Sequence, residues 1–167
     1  MAMISVEDRL AEVERRLAVA EDELAVIRLV ASYGPMVDTG DTTFAPVLFA
    51  DEGVYDVLNA RLSRSDFAAM LGGPEHQGIV AEGIAHVMGL PMVRVEGDRA
   101  SAVNCTQLFH KVADGYRVFR VAQNVWKLER RPEGWKIVER FNRLIGEGDD
   151  ARALLEGAVR EAIRETT

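Results

Sequence analysis

The stretch "YRVFRVAQNVWKLERRPEGWKIVERFNRLI", Tyr116 to Ile145, decides the fold. Two runs rich in Val, Ile, Phe and Trp flank "RPEG", a turn signal built on Pro and Gly. Such residues suit a pleated, half-buried surface. A short link between two such runs makes them antiparallel neighbours. The same grammar continues upstream. "DRASAVNCTQLFHKVADG" and "IAHVMGLPMVRVEG" read as two more strands, joined by "EGD" and followed by "ADG", with Pro91 marking an edge or a bulge.

Towards the N-terminus the period changes. In "SVEDRLAEVERRLAVAEDELAVIRLVASYG", apolar residues from Val6 through Leu10, Val13, Leu17, Ala20, Leu24 and Ile27 to Ala31 alternate spacings of four and three. That is the a/d seam of a long helix. Ser5 with Asp8 resembles a capping box. The second half is apolar over a wide arc and packs on its own domain. The first half is more charged and either lies on a partner subunit or is a solvated extension. Gly34-Pro35 is expected to bend or end the helix, because proline lacks an N–H and clashes with the preceding turn. Gly40 is a candidate cap.

"TTFAPVLFAD" reads as a short helix, "EGVYDVLN" as a strand, "SRSDFAAMLGG" as a helix and "PEHQGIVAEG" as a loop. "GDDARALLEGAVREAIRE" is an amphipathic helix. Helices first and then a meander of long strands make an α+β fold, with helices covering one face of a curved antiparallel sheet. The expected layout is a helical extension over 1–20, a domain over 20–146 and a C-terminal helix over 147–167. A curved sheet with helices across its mouth encloses a cone, whose interior is the natural ligand pocket.

Composition narrows the function. The 167 residues carry a formal net charge of −7, which argues against a nucleic-acid partner. The single cysteine, Cys105, allows neither an internal disulfide nor a Cys-based zinc cluster, and fits a reducing compartment. "MAMISVEDRLAEVERR" has early acids and no apolar core, unlike a signal peptide, and no run is long enough to cross a bilayer. A cytoplasmic protein without a membrane partner is expected. Neither GxGxxG nor GxxxxGK[ST] occurs, nor an HxH or HxxxH pair, so no cofactor and no metal are expected.

Alternation along the strands sets His86, His110 and Asn124 among apolar neighbours on consecutive strands. Singly, each has a plain structural reading as a hydrogen-bonded core residue. His76 falls in a Gly/Pro-flanked loop and is expected in solvent. Tyr33, Asp38 and Tyr55 add polar groups to the same lining. The chemistry this set suits is proton transfer. Asp38 beside His86 would orient the imidazole, and a histidine can take or give a proton near neutrality. Tyr33 or Tyr55 would donate to a substrate oxygen, and Asn124 would help hold an oxyanion. Met88, Leu108, Val118, Trp126 and Phe141 would exclude water. Cys105 lies on the opposite strand parity from His110, which weakens a Cys–His reading.

These residues carry a resemblance. "ELAVIRLVASYGPMVDTGDTTFAPVLFADEGVYDV" resembles the opening of SnoaL-like proteins of the nuclear transport factor 2-like superfamily. "GIAHVMGLPMVRVEGDRASAVNC" and "NVWKLERRPEGWKIVER" fit its later part, so the resemblance spans about residues 20 to 146. It implies the cystatin-like cone. The bile acid 7α-dehydratases and the scytalone dehydratases are the nearest functional comparisons. Resemblance to the first places a tyrosine–aspartate spacing on Tyr33 and Asp38, the catalytic histidine on His86 and, approximately, a late arginine on Arg143. Resemblance to the second places the Asp–His pair on Asp38 and His86, and a second histidine, a tyrosine and an asparagine on His110, Tyr55 and Asn124.

Val37 stands where scytalone dehydratases have a tyrosine, and His110 where bile acid dehydratases have an aspartate. The first helix also lacks the lysine of dehydrochlorinase relatives. The resemblance implies a cofactor-independent dehydratase or isomerase acting on a hydrophobic cyclic, steroid-like or polyketide-like ligand, as a homo-oligomer, dimer or trimer. The alternatives are a non-catalytic small-ligand binder, an oligomeric partner protein, or the small subunit of a ring-hydroxylating dioxygenase.

Overall fold

Helix α1 runs unbroken over Val6–Asp38, 33 residues. Ser5 caps it, its hydroxyl accepting the Asp8 N–H at 3.0 Å. Pro35 lies inside the helix and does not end it, so of the expected bend or end at Gly34-Pro35 the end does not occur there. Pro35 and Ala31, whose carbonyl loses its donor, both lie on the exposed side, where water replaces the missing bond. The helix stops three residues later. Thr39 closes the turn on the Met36 carbonyl, and Gly40 takes the left-handed conformation, φ +67°, that suits glycine.

The computed structural model describes residues 5–58, 60–147 and 150–163. Residues 1–4 of the expected N-terminal extension, Asn59 of the expected first strand, and residues 148, 149 and 164–167 of the expected C-terminal segment lie outside the described residues.

After a 3₁₀ turn at Thr42–Phe44 and a one-turn helix α2 (Ala45–Leu48) come strands β1 (Phe49–Val57) and β2 (Ala60–Ser63). Helices α3 (Arg64–Gly72) and α4 (Pro74–Glu82) follow. Then come β3 (Ile84–Met88), β4 (Met92–Glu96), β5 (Arg99–Val112), β6 (Gly115–Arg131), β7 (Gly134–Leu144) and α5 (Asp150–Ile163). The sheet order is β2-β1-β7-β6-β5-β3, with β4 also on β5. The α+β class, with α1 and α3 over one face of the sheet, is as expected.

Four details differ. The β1–β7 pairing is parallel while the others are antiparallel, because β1 reaches β7 through a long stretch of chain and no hairpin fixes its direction. "IAHVMGLPMVRVEG" is two strands, since Pro91 has no N–H for the ladder; β3 and β4 share β5 as partner, and the Gly89 N–H on the Cys105 carbonyl, 2.8 Å, bridges the gap. "PEHQGIVAEG" is a helix, started by Pro74 at its first turn and stopped by Gly83 at φ +103°. The edge strand β2 is short and largely exposed, which leaves no apolar alternation to read.

The core lies between α1, α3 and the concave face. Val26, Val30, Phe49, Phe67, Leu71, Trp126 and Ile137 are fully buried or nearly so, each contributing about 1.5–3 kcal/mol where aliphatic or phenyl. Asp22 pins the near half of α1 to the body. It takes the Arg130 guanidinium at 2.5 Å and the Trp135 indole N–H at 3.3 Å. The hydrogen bond from Arg130, helped by the one from Trp135, holds the Asp22 carboxyl below its ordinary range against the opposing effect of burial.

α1 meets β3 at Gly34. A Cβ there would stand 2.5 Å from the His86 carbonyl oxygen and 3.1 Å from the His86 Cβ. Alanine is otherwise the better helix residue by about 1 kcal/mol. Gly34→Ala is therefore expected to destabilise the protein, by about 1–3 kcal/mol, in urea denaturation. A stabilised variant would show that helix and strand are free to part.

Candidate active site

The crossing at Gly34 brings the end of α1 over the middle of β3. Asp38 Oδ2 accepts the backbone N–H of His86 at 2.7 Å. Asp38 Oδ1 meets His86 Nδ1. The side chains are 19% and 15% exposed, respectively, so both stand at the rim of the core. A carboxylate against Nδ1 makes that nitrogen the protonated one and leaves Nε2 as the basic nitrogen. Nε2 has no hydrogen-bond partner among the described residues.

α4 fixes the end of α1. His76 is buried, not solvent-exposed as the sequence suggested, and its Nε2–H donates to the Val37 carbonyl at 3.0 Å. Gln77 donates to the Gly40 carbonyl at 2.8 Å and to the Leu71 carbonyl at 2.7 Å. Asp38 thus sits between two tied backbone groups.

Tyr33, 2% exposed, presents its ring edge-on to His86, with centroids 6.4 Å apart. It also meets Trp126 at 5.4 Å and Phe67 at 6.0 Å. Burial pushes the Tyr33 phenol well above its ordinary range, and the Arg140 charge opposes the shift in part.

Arg140 is the functional candidate that the sequence reading missed. It is 2% exposed. Its guanidinium carbon lies 3.9 Å from the Tyr33 ring centroid, 4.4 Å from Trp126 and 4.5 Å from Tyr55. Nε and Nη2 donate to Asn124 Oδ1 at 3.2 and 2.7 Å. Among the described residues, buried Nη1 meets no acceptor in hydrogen-bonding geometry, although the guanidinium also interacts with the Tyr33 hydroxyl, and no carboxylate pairs with it. The faces of three rings attract the cation, which offsets part of the cost of burying it. An orphan donor of this kind suits a carbonyl or oxyanion brought in by a ligand.

Asn124, fully buried, organises the polar row across β5, β6 and β7. Its Oδ1 also accepts Asn142 Nδ2 at 2.8 Å, and its Nδ2 donates to Thr106 Oγ1 at 2.7 Å. Trp126 Nε1 donates to Asn104 Oδ1 at 2.9 Å, and Asn104 Nδ2 to the Gly89 carbonyl at 2.9 Å.

Of the other sequence candidates, Tyr55, Leu108 and Trp126 line the buried concave face, and Met88 is half-buried beside Thr106, whose hydroxyl points at its sulfur. His110 shares the face with His86, two residues further along the sheet, but its Nε2 is taken by Glu82 at 2.8 Å. Phe141 and Arg143 do not join the site. Phe141 pairs with Val125 on the opposite face, under the Lys127 ammonium, and Arg143 grips Asp56 at 2.6 Å. The reason is a bulge: β7 has one extra residue at Val138. Inward parity passes from Trp135 and Ile137 to Arg140 and Asn142. The arginine that the concave face carries is Arg140, three residues before Arg143.

The concave side is packed by Tyr33, Phe67 and Trp126. A cleft of about 380 Å³ lies instead on the other face of the sheet, beside α5, lined by Ser101, Val125, Lys127, Val138 and Glu161 among others. It is remote from the Asp38–His86 pair. Among the described residues, no group of three or more His, Cys, Asp or Glu is arranged to hold a metal ion, and no helix is long and apolar enough to cross a membrane.

The SnoaL-like domain family matches residues 18–141. No curated protein matches the chain. Among solved structures, it is similar to a nuclear transport factor 2-like protein with a cystatin-like fold from Novosphingobium aromaticivorans. That match has 34% identity and a TM-score of 0.82, over 92% of this chain and 99% of the other. A protein of unknown function from Mycobacterium tuberculosis shares 18% identity and a TM-score of 0.61, over 98% of this chain and 95% of that one. A proposed beta subunit of an aromatic-ring-hydroxylating dioxygenase from N. aromaticivorans shares 20% identity and a TM-score of 0.59, over 73% and 88%. At that identity the last two share the fold alone.

Asn124→Leu keeps the volume but removes the acceptor of three buried donors. The expected loss is about 3–5 kcal/mol in urea denaturation; a loss within error would show that water replaces the amide. Tyr33 gives a pH signature. Its folded-state value is raised, so its contribution is full below its ordinary value of 10.0 and fades as pH rises past it. Above that pH the wild-type protein should lose stability more steeply than Tyr33→Phe, and parallel curves would contradict the assignment.

Proposed function

The chain belongs to the SnoaL-like family of the nuclear transport factor 2-like superfamily, and from that premise we propose that it is a cofactor-independent dehydratase or isomerase using an Asp38–His86 proton-transfer dyad. The substrate is a hydrophobic cyclic hydroxy ketone, steroid-like or polyketide-like. The protein acts in the cytoplasm as a homo-oligomer. One observation supports the reading above the others: Asp38 holds both the backbone N–H and the Nδ1 of His86, while Nε2 has no partner among the described residues.

In this reading Nε2 removes the proton from the carbon beside the carbonyl. Asp38 stabilises the imidazolium that forms. The electron pair moves to the carbonyl oxygen, which takes a hydrogen bond from Arg140 Nη1 or the Tyr33 hydroxyl. The raised phenol value suits Tyr33 to donating and not to losing its proton. The imidazolium then gives the same proton to the departing hydroxyl, which leaves as water when the enolate collapses. Returned to another carbon, the proton completes a double-bond shift instead.

A second reading is a small-ligand binder without turnover. The rings that fill the concave side favour it. One experiment separates the two. Wild-type protein is assayed for water loss and double-bond shift on cyclic hydroxy ketones, beside His86→Ala and Asp38→Asn. Each variant should lose about 10²–10⁴-fold in turnover. Turnover retained in both overturns the dyad; binding without wild-type turnover selects the second reading.

A further inference from the structure

The first half of α1 carries an apolar seam that the domain leaves uncovered. Val6 is 76% exposed, Leu10 56%, Val13 58%, Leu17 56% and Leu24 44%. The seam faces away from its own domain. Asp22, on the opposite side of the helix, is the residue tied to Arg130 and Trp135. From Val26 onward the buried residues of α1 (Val26, Val30, Tyr33 and Val37) follow that inner side. In heptad terms Leu10, Leu17 and Leu24 occupy a, and Val6, Val13 and Ala20 occupy d. Glu7, Glu14 and Glu21 all fall at e, and Arg9 and Arg16 at g. Arg9, Glu14, Arg16 and Glu21 form no salt bridge among the described residues, although Arg15 and Glu12, on the side away from the seam, do.

We propose that the occupant of this seam is the same seam of further copies of this chain, running parallel and in register in a bundle of three or four. The charges set the direction. In a parallel bundle each g residue faces the e residue five positions later on its neighbour. Arg9 then meets Glu14, and Arg16 meets Glu21, with the exchange repeated around the bundle. An antiparallel arrangement would set the e-position glutamates of the two chains against each other. The core residues set the number. Leucine at a with β-branched valine at two of the three d positions, Val6 and Val13, disfavours the two-stranded form, whose d layer is shaped for leucine. The interface runs from Val6 to Leu24, about 27 Å at 1.5 Å per residue.

Light scattering on the full-length protein should give three or four times the 18.5 kDa chain mass. Leu10→Asp with Leu17→Asp should reduce it to one chain, with the far-ultraviolet dichroism of the sheet unchanged, because neither leucine touches the core. Arg9→Glu with Arg16→Glu should dissociate the bundle, and adding Glu14→Arg with Glu21→Arg should restore it. Val6→Cys in a Cys105→Ser background should cross-link chains on mild oxidation, since parallel register sets the two Val6 positions side by side. A wild-type mass of one or two chains, an assembly that survives the double aspartate change, or absence of the cross-link would each overturn the proposal.

Discussion

Everything in the concave half of the molecule depends on how closely α1 passes over β3. The absence of a side chain at Gly34 lets the helix come within van der Waals contact of the His86 backbone. Gly34 and Asp38 are one helical turn apart, so they share that face. The carboxylate therefore arrives where it can take the histidine N–H and the ring nitrogen together. A wider crossing would leave the acid in solvent and the imidazole free to turn. The sequence contributes a small residue for distance and a carboxylate four positions on for grip. α4 then stops the end of the helix from drifting, through His76 and Gln77.

The second constraint is electrostatic. Arg140 is a buried cation with ring faces and one amide oxygen in place of a carboxylate. A buried carboxylate would neutralise it and also occupy its donors. Among the described residues, the present arrangement gives the charge no carboxylate and leaves Nη1 outside the geometry of a hydrogen bond. It does so beside Tyr33, whose ring also borders His86. In the proposed reading, the proton-accepting nitrogen and the anion-stabilising group thus stand on either side of one tyrosine. That separation of roles is what elimination beside a carbonyl requires. The asparagine row explains how the fold bears the cost, since Asn124 shares its oxygen among three donors and passes its own N–H to Thr106.

Much of this was legible beforehand, and the gaps have physical causes. The long strands and their order followed from the β-branched and aromatic runs between turn residues. The Asp38–His86 pairing was visible as a resemblance, while its geometry was not, because the sequence pointed to a break at Gly34-Pro35. Proline on an exposed helix face costs less than proline facing the core, and the text of a sequence does not say which face it is on. Arg140 was missed because one extra residue at Val138 changes parity within β7. A strict two-residue period assigns Phe141 and Arg143 wrongly from there on. The available clue was that Trp135 and Ile137 on one side of Val138, and Asn142 on the other, cannot all face inward without a bulge.

α1 serves two surfaces, and the residues that separate them also insulate them. The a/d stripe runs along its outer side, and the residues that bury against the sheet lie on its inner side. Asp22 sits between the exposed seam and the crossing at Gly34, tied to Arg130 and Trp135 on the strands. A displacement at the seam has to move the β6–β7 turn before it can tilt the helix at Asp38. The Arg130 guanidinium, stacked 4.6 Å over the Trp135 ring, stiffens that anchor further. Supercoiling demands a 3.5-residue repeat, and packing against a sheet does not. A pin at the changeover lets each half of the helix keep its own period, so that whatever the seam holds does not alter the grip on His86.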